Sequence, residues 1–167
     1  GLEDIRGYDS VIPQWYADVM SEVDTQELEY NQIARITHVY SLDSPILDML
    51  NVRYVLTEET IEQPNYTLVY DQELRIYRND DALPRAYVVF QARTLPDRRQ
   101  LLNALRDIDP RQEVLLEQAP QDMGPMAATL TPPDVEIIQN TPNEVKLHVN
   151  MPAPGFLILA DNYAPGW

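Results

Sequence analysis

Cysteine is absent from this chain, glycine is scarce and lysine occurs once, and each shortage removes a class of function. The 167 residues include no cysteine, 5 glycines and a single lysine, Lys146. Without cysteine there are no disulfides, no thiolate metal ligands and no thiol nucleophile. The few glycines form no glycine-rich phosphate loop, so nothing supports nucleotide binding. We therefore expect no cofactor.

Basic residues are also few, and the balance of charge excludes nucleic acid as a partner. Asp and Glu number 27 against 12 Lys and Arg, which gives a formal net charge of −15. No basic run is available to neutralise phosphates. A low content of Lys and Arg suits the outer side of a membrane, where loops are not enriched in positive charge. No apolar run reaches the roughly 18 residues of a membrane span, so any spans of a membrane-bound parent are expected outside these residues.

The first part of the chain shows short helix and strand signals. A helix is expected after Ser10, with Pro13 in its first turn, and a second after Ser44, with Pro45 in its first turn and Asn51 at its end. A strand at residues 53–57 follows directly. The first helix has apolar residues at helical spacing, namely Trp15, Tyr16, Val19 and Met20.

The middle of the chain predicts a mixed sheet. Alternating residues at 67–70 and 74–78 indicate a hairpin, and the apolar run within 85–93 indicates a central strand buried on both faces. Asp97 resembles the cap of a helix whose Leu101, Leu102 and Leu105 should pack against that strand. A strand at 113–117 should complete a crossover connection.

Proline-rich residues 119–134 predict a linker between two unequal parts. Residues 1–118 are expected to form a mixed α/β domain with a central sheet. Residues 135–167 predict a partial antiparallel β-sandwich with strands at 135–139, 145–149 and 155–160. Three strands do not close a sandwich, so they could also join the first domain's sheet or a neighbouring molecule. The fold class is therefore predicted as α+β.

Four segments in order resemble the C-terminal extracytoplasmic region of YfhO-like bacterial membrane proteins. They are residues 4–10, 47–57, 74–79 with 82–86, and 153–167. The resemblance implies a multi-pass parent similar to lipid-linked-sugar glycosyltransferases, whose catalytic carboxylate lies on an early external loop that this chain does not include. The family continues with further strands after the Pro-Gly-Trp corner, whereas this sequence stops at Trp167.

Two groups of residues are candidate ligand contacts. Carboxylates, a guanidinium and aromatic rings, which hydrogen-bond and stack on sugars, come together at Asp4, Arg6, Tyr8 and Asp9 and at Asp161, Tyr163 and Trp167. The alternatives are an Arg–Asp network that fixes a loop and a sandwich corner whose tryptophan fills the core. The two histidines are far apart in sequence and predict neither a zinc site nor a catalytic dyad, so no catalytic or metal-binding residue is assigned.

These observations lead to three hypotheses of function. The first is a non-catalytic extracytoplasmic domain, on the outer face of the bacterial cell membrane, that positions a glycan acceptor or braces external loops. Its partners would be the membrane-embedded remainder of the same chain and a cell-envelope glycan. The second is a carbohydrate-binding module, which requires an exposed aromatic platform. The third is an autonomous glycan hydrolase, which requires convergent carboxylates in a cleft.

Overall fold

The computed structural model describes residue 5 and residues 13–24, 36–121 and 130–161. Its helices are α1 Gln14–Val23, a 3-10 helix Val39–Asp43, α2 Pro45–Met49 and α3 Arg98–Ala104. Its strands are β1 Tyr54–Thr57, β2 Tyr66–Asp71, β3 Arg75–Asn79, β4 Ala86–Val89, β5 Gln91–Thr94, β6 Glu113–Leu116, β7 Glu136–Thr141, β8 Glu144–His148 and β9 Phe156–Leu159. Short helices beside several small sheets confirm the predicted α+β class.

The helices begin at or next to the residues that the local signals indicated. Pro13 immediately precedes α1, and Pro45 occupies the first turn of α2. Asn51, with a φ of 57°, takes the left-handed conformation that ends the α2 segment. Asp97 caps α3, because its carboxylate accepts a hydrogen bond of 2.8 Å from the backbone N–H of Gln100.

The largest sheet is antiparallel and has the strand order β1-β3-β2. The predicted hairpin is confirmed as β2 and β3, and β1 pairs with the other edge of β3. The register between β2 and β3 shifts between Leu68 and Tyr70. This bulge re-aims the end of β2 relative to β3.

The prediction of one central strand over residues 85–93 is wrong. The chain forms two strands there, β4 paired antiparallel with β9 and β5 paired parallel with β6, in separate two-stranded sheets. The change of sheet occurs at Phe90, which is buried against Gly155. A Cβ atom on Gly155 would lie only 2.8 Å from Cδ1 of Phe90, so this close approach requires glycine.

The crossover from β5 through α3 to β6 is confirmed, but α3 does not pack as predicted. Leu105, directly after α3, belongs to the main core together with Tyr16 of α1, and this core does not include the buried residues of β4. Two ion pairs also join this region to α1, Arg98 of α3 with Asp18 and Arg106, just after α3, with Glu22. The partly buried Leu101 and Leu102 and the buried Leu105 therefore pack against the main core, and α1 is the neighbouring helix instead of β4 the neighbouring strand.

The main core joins α1, α2, α3 and the inner side of the three-stranded sheet. Ile46 and Leu47 of α2 are fully buried at its centre. Its other buried members are Tyr16, Met20, Val23, Leu42, Ile61, Tyr66, Tyr77 and Leu105. The sheet is thus held rigidly from one side by packed side chains.

The C-terminal strands divide between two partners. Strands β7 and β8 form a hairpin with each other, whereas β9 pairs with β4. The pairing of β9 with β4 agrees with the alternative in which a C-terminal strand joins the first part of the chain. Residues 122–129 lie outside the described residues, and the domain boundary at 119–134 stays a prediction. No helix in the described ranges is both long and apolar enough to cross a membrane.

Candidate functional site

Of the seven candidate ligand contacts, only Asp161 falls in the described part of the chain. Its carboxylate accepts two hydrogen bonds from Arg85, of 3.0 Å from Nε and 2.9 Å from Nη2, and both side chains are largely shielded from solvent. The backbone of Ala160 donates to the carbonyl of Arg85 at 2.8 Å. Asp161 thus fastens the end of β9 to β4. The other six, Asp4, Arg6, Tyr8, Asp9, Tyr163 and Trp167, lie outside the described residues.

The solvent side of the three-stranded sheet carries a group of side chains that the sequence did not single out. Strand pairing places Tyr54 opposite Arg78 and Arg78 opposite Thr67, while Leu56 lies opposite Ile76 and Ile76 opposite Tyr70. Alternate residues of a strand point to the same side, so both rows share one surface. We call this surface the outer sheet face, formed by Tyr54, Leu56, Thr67, Tyr70, Ile76 and Arg78.

Aromatic and apolar groups dominate the exposed area of the outer sheet face. Tyr54 and Tyr70 are each 51% exposed, and Leu56 is 63% exposed. On the opposite side of the sheet Tyr77 is buried in the core, and Val55 packs against it. The sequence held a signal for this arrangement, because Tyr54, Val55 and Leu56 are consecutive apolar residues and a short strand buried on one side must expose some of them.

A polar network crosses one end of the outer sheet face. Nε of Arg78 donates to Oδ1 of Asp80 at 2.6 Å, and the hydroxyl of Thr67 donates to Oδ2 at 2.5 Å. The hydrogen bond from Thr67, followed by that from Arg78, lowers the pKa of Asp80 below its usual value. Asp80 is therefore held as a carboxylate, and it fixes Arg78 and Thr67 beside Tyr54.

An open cleft of about 270 Å³ adjoins the same end of the face. Asn79 is buried beneath it, and its side-chain N–H₂ donates to Asp48 at 2.8 Å and to the carbonyl of Val52 at 3.2 Å. Its amide oxygen accepts from the backbone of Asp81 at 3.0 Å. The hydrogen bonds of the Asn79 side chain therefore fix the base of the cleft. Its lining consists of Arg53, Tyr54, Arg78, Asn79, Asp80, Ala82 and Pro84.

A second polar cluster joins the end of α1 to the segment before the 3-10 helix. The buried carboxylate of Asp24 accepts from the backbone N–H of Thr37 at 2.7 Å, from its hydroxyl at 3.0 Å and from the backbone of His38 at 3.3 Å. Nδ1 of His38 lies 3.1 Å from Oδ1 of Asp24. The ring of His38 also stacks on Tyr40 at 4.9 Å between centroids. Sequence analysis missed this pairing, because the two residues are distant in sequence and lack a motif.

The Asp24–His38 pair resembles the orienting half of a catalytic triad, but its surroundings do not complete one. No serine hydroxyl in the described ranges hydrogen-bonds to His38, and no group of three or more acidic or histidine side chains there is placed to hold a metal ion. The cluster instead ties residues 36–38 to α1. The outer sheet face with its cleft is the better candidate for a ligand site.

Comparison with known proteins identified no related protein. A scan of protein-family models, a search of curated proteins and a search of solved structures each gave no match. The resemblance to the YfhO-like family therefore stays a prediction.

Proposed function

We propose that this chain is a non-catalytic extracytoplasmic domain of a YfhO-like multi-pass bacterial membrane protein, and that it holds a glycan acceptor for the membrane-embedded remainder of the same protein. The four segments that resemble the family support the location on the outer face of the cell membrane. The outer sheet face supports the contact with glycan.

The exposure of Tyr54 and Tyr70 on one surface is the observation that carries the proposal. Phenol rings present an apolar face that covers the C–H face of a sugar ring, while nearby polar groups bind its hydroxyls. Arg78 and Thr67 supply such groups within the same rows of the sheet. Exposed aromatic and apolar side chains that cluster on a folded surface mark an interaction site.

The rigid support of the face favours binding. Tyr77 packs into the core behind it, and Asp80 fixes Arg78 and Thr67 by hydrogen bonds. A preorganised surface loses little conformational freedom when a ligand binds, so weak individual contacts add up to useful affinity.

The net charge of −15 narrows the class of glycan. A strongly negative protein repels polyanions at long range. We therefore propose an oligosaccharide of low charge density in preference to a polymer with a charge on every repeat.

Tyr54→Ala is expected to weaken binding of soluble glucose or N-acetylglucosamine oligosaccharides by roughly tenfold, because it removes a stacking surface worth about 1.4 kcal/mol. Calorimetry or amide chemical-shift titration of the 167-residue chain measures the change. Tyr40→Ala is the matched control, since Tyr40 is 62% exposed but lies on the 3-10 helix. Equal affinities of the two variants, or no binding by the native chain, would contradict the proposal.

Asp80, the acid that lines the cleft, is not suited to act as the general acid of a glycosidase. Asp80 has both carboxylate oxygens occupied and a lowered pKa, whereas a glycosidase general acid needs a raised pKa. We expect no release of reducing sugar from the same oligosaccharides. Turnover that disappears in Asp80→Asn would show instead that the chain is a hydrolase.

A further inference from the structure

Arg53 stands apart from most arginines of this acidic chain. In the described ranges the guanidinium groups that pair with a carboxylate are those of Arg75, Arg78, Arg85, Arg93, Arg98, Arg106 and Arg111. Arg53 and Arg99 have no such partner there, although acidic residues outnumber basic ones by 27 to 12. Arg99 lies on the exposed side of α3, whereas Arg53 lines the cleft beside Tyr54.

The backbone holds Arg53 in place at the cleft. Its carbonyl accepts a hydrogen bond of 2.8 Å from the N–H of Asn79, and it immediately precedes β1. Asn79 is in turn bonded to Asp48 and Val52. The root of the Arg53 side chain is therefore fixed while its exposed guanidinium stays available.

The charges that line the cleft leave one positive charge without a counterpart. Arg78 and Asp80 neutralise each other through a hydrogen-bonded ion pair. Both oxygens of Asp80 are already engaged, by Arg78 and by Thr67. The charge that remains free is that of Arg53, so an anion is favoured in the cleft and a cation is not.

We propose that Arg53 binds an anionic group of the glycan, a carboxylate or a phosphate carried by a single sugar, in this cleft. The inference rests on the proposed function, because Tyr54 lines the cleft and also belongs to the outer sheet face. A guanidinium recognises both oxyanions through two parallel hydrogen bonds. The cleft volume of about 270 Å³ suits one sugar unit. One acidic sugar among neutral neighbours also agrees with the exclusion of polyanions.

The test compares a glucose oligosaccharide with a matched one in which a single glucose is replaced by glucuronate, and with another that carries one glucose 6-phosphate. The native chain is expected to bind at least one acidic ligand about tenfold more tightly than the neutral one, with the gain reduced by salt. Arg53→Ala should remove this gain, and Arg53→Lys should restore only part of it, because lysine keeps the charge without the bidentate geometry.

Arg99→Ala is the control, since it removes another exposed arginine that lies outside the cleft. It should keep the preference for the acidic ligand. Equal affinity for acidic and neutral ligands in the native chain, with Tyr54→Ala still weakening both, would overturn this inference and leave the proposed function standing. A preference that Arg53→Ala retains would also overturn it.

If the native chain binds none of the oligosaccharides, the proposed function fails. Titration with inorganic phosphate then tests whether the cleft is an oxyanion site. A phosphate-dependent shift of the Arg53 Nε–H nuclear magnetic resonance signal, absent for Arg99, would support an oxyanion site. No shift would overturn it.

Discussion

Leu47→Ala is expected to destabilise the chain by roughly 2 to 5 kcal/mol, the range measured for buried leucines in protein cores. Leu47 is 0% exposed and lies at the centre of the main core. Its backbone carbonyl also accepts a hydrogen bond of 3.0 Å from Val52, which closes the turn after α2. Alanine would keep that bond but leave a cavity where α2 meets the sheet. Such a loss is a large share of a typical stability of about 5 to 15 kcal/mol.

Leu56→Ala provides the matched control for this prediction. It deletes the same atoms from a leucine that is 63% exposed on β1, so its cost should stay within about 0.5 kcal/mol. Urea unfolding followed by tryptophan fluorescence measures both, since Trp15 packs against the main core. Similar losses for Leu47→Ala and Leu56→Ala would mean that α2 does not occupy the centre of the core.

Local signals predicted most of the elements of this fold. Pro45 in a first helical turn, Asn51 at a helix end and the Asp97 cap each act within a few residues, and the structure confirms these three. Pro13 lies one position before α1 instead of in its first turn. The hairpin and the β5–α3–β6 crossover follow from alternation and from chain connectivity. These features depend on short stretches of sequence, which is why sequence alone was sufficient.

Packing partners could not be predicted in the same way. The apolar run at residues 85–93 is equally consistent with one central strand and with two strands in different sheets, because its apolar side chains would be buried in either arrangement. The close approach of Phe90 to Gly155 decides between them, and it joins residues 65 positions apart. Likewise the stripe of α3 predicts that a surface is buried, but not that α1 and the main core cover it.

The candidate site was missed for a related reason. Tyr54 and Tyr70 share a surface only because β1 and β2 both pair with β3 and the register shifts after Leu68. Asp24 and His38 meet only after the chain returns to the end of α1. Consecutive apolar residues at Tyr54, Val55 and Leu56 indicate that β1 exposes an apolar side chain, but sequence spacing does not show that Tyr70 shares that surface or that Asp24 meets His38. The segments that resemble the YfhO-like family are visible because they are contiguous.

Asp24→Asn is expected to cost about 2 kcal/mol near pH 7 and less near pH 3, because it removes hydrogen bonds to a charged carboxylate. Asp24 is 7% exposed, and its two oxygens accept from four donors on Thr37 and His38. Asparagine offers one acceptor oxygen and turns an N–H₂ group toward donors. The variant should therefore loosen the attachment of residues 36–38 to α1.

The pH dependence follows from the pKa of Asp24. Burial alone would raise this pKa, but the hydrogen bonds from Thr37 and His38 outweigh burial and lower it. A carboxylate whose pKa is lower in the folded state stabilises the fold fully above its unfolded pKa of about 3.9, and this contribution is lost as the pH falls through the folded value. Asparagine does not titrate. The stability difference between the native chain and Asp24→Asn should thus be constant above about pH 5 and shrink below about pH 4.

Asp18→Asn is the control for this titration, because it makes the same change on the same helix at a carboxylate that pairs with the exposed Arg98. Surface ion pairs contribute about 0 to 1 kcal/mol, so the control should lose less than Asp24→Asn at neutral pH. Urea unfolding of the three proteins between pH 7 and pH 3 separates the cases, since all other carboxylates titrate alike in each. A penalty for Asp24→Asn that is no larger than that of Asp18→Asn, or that stays constant down to pH 3, would show that the Asp24 carboxylate does not hold residues 36–38 through its charge.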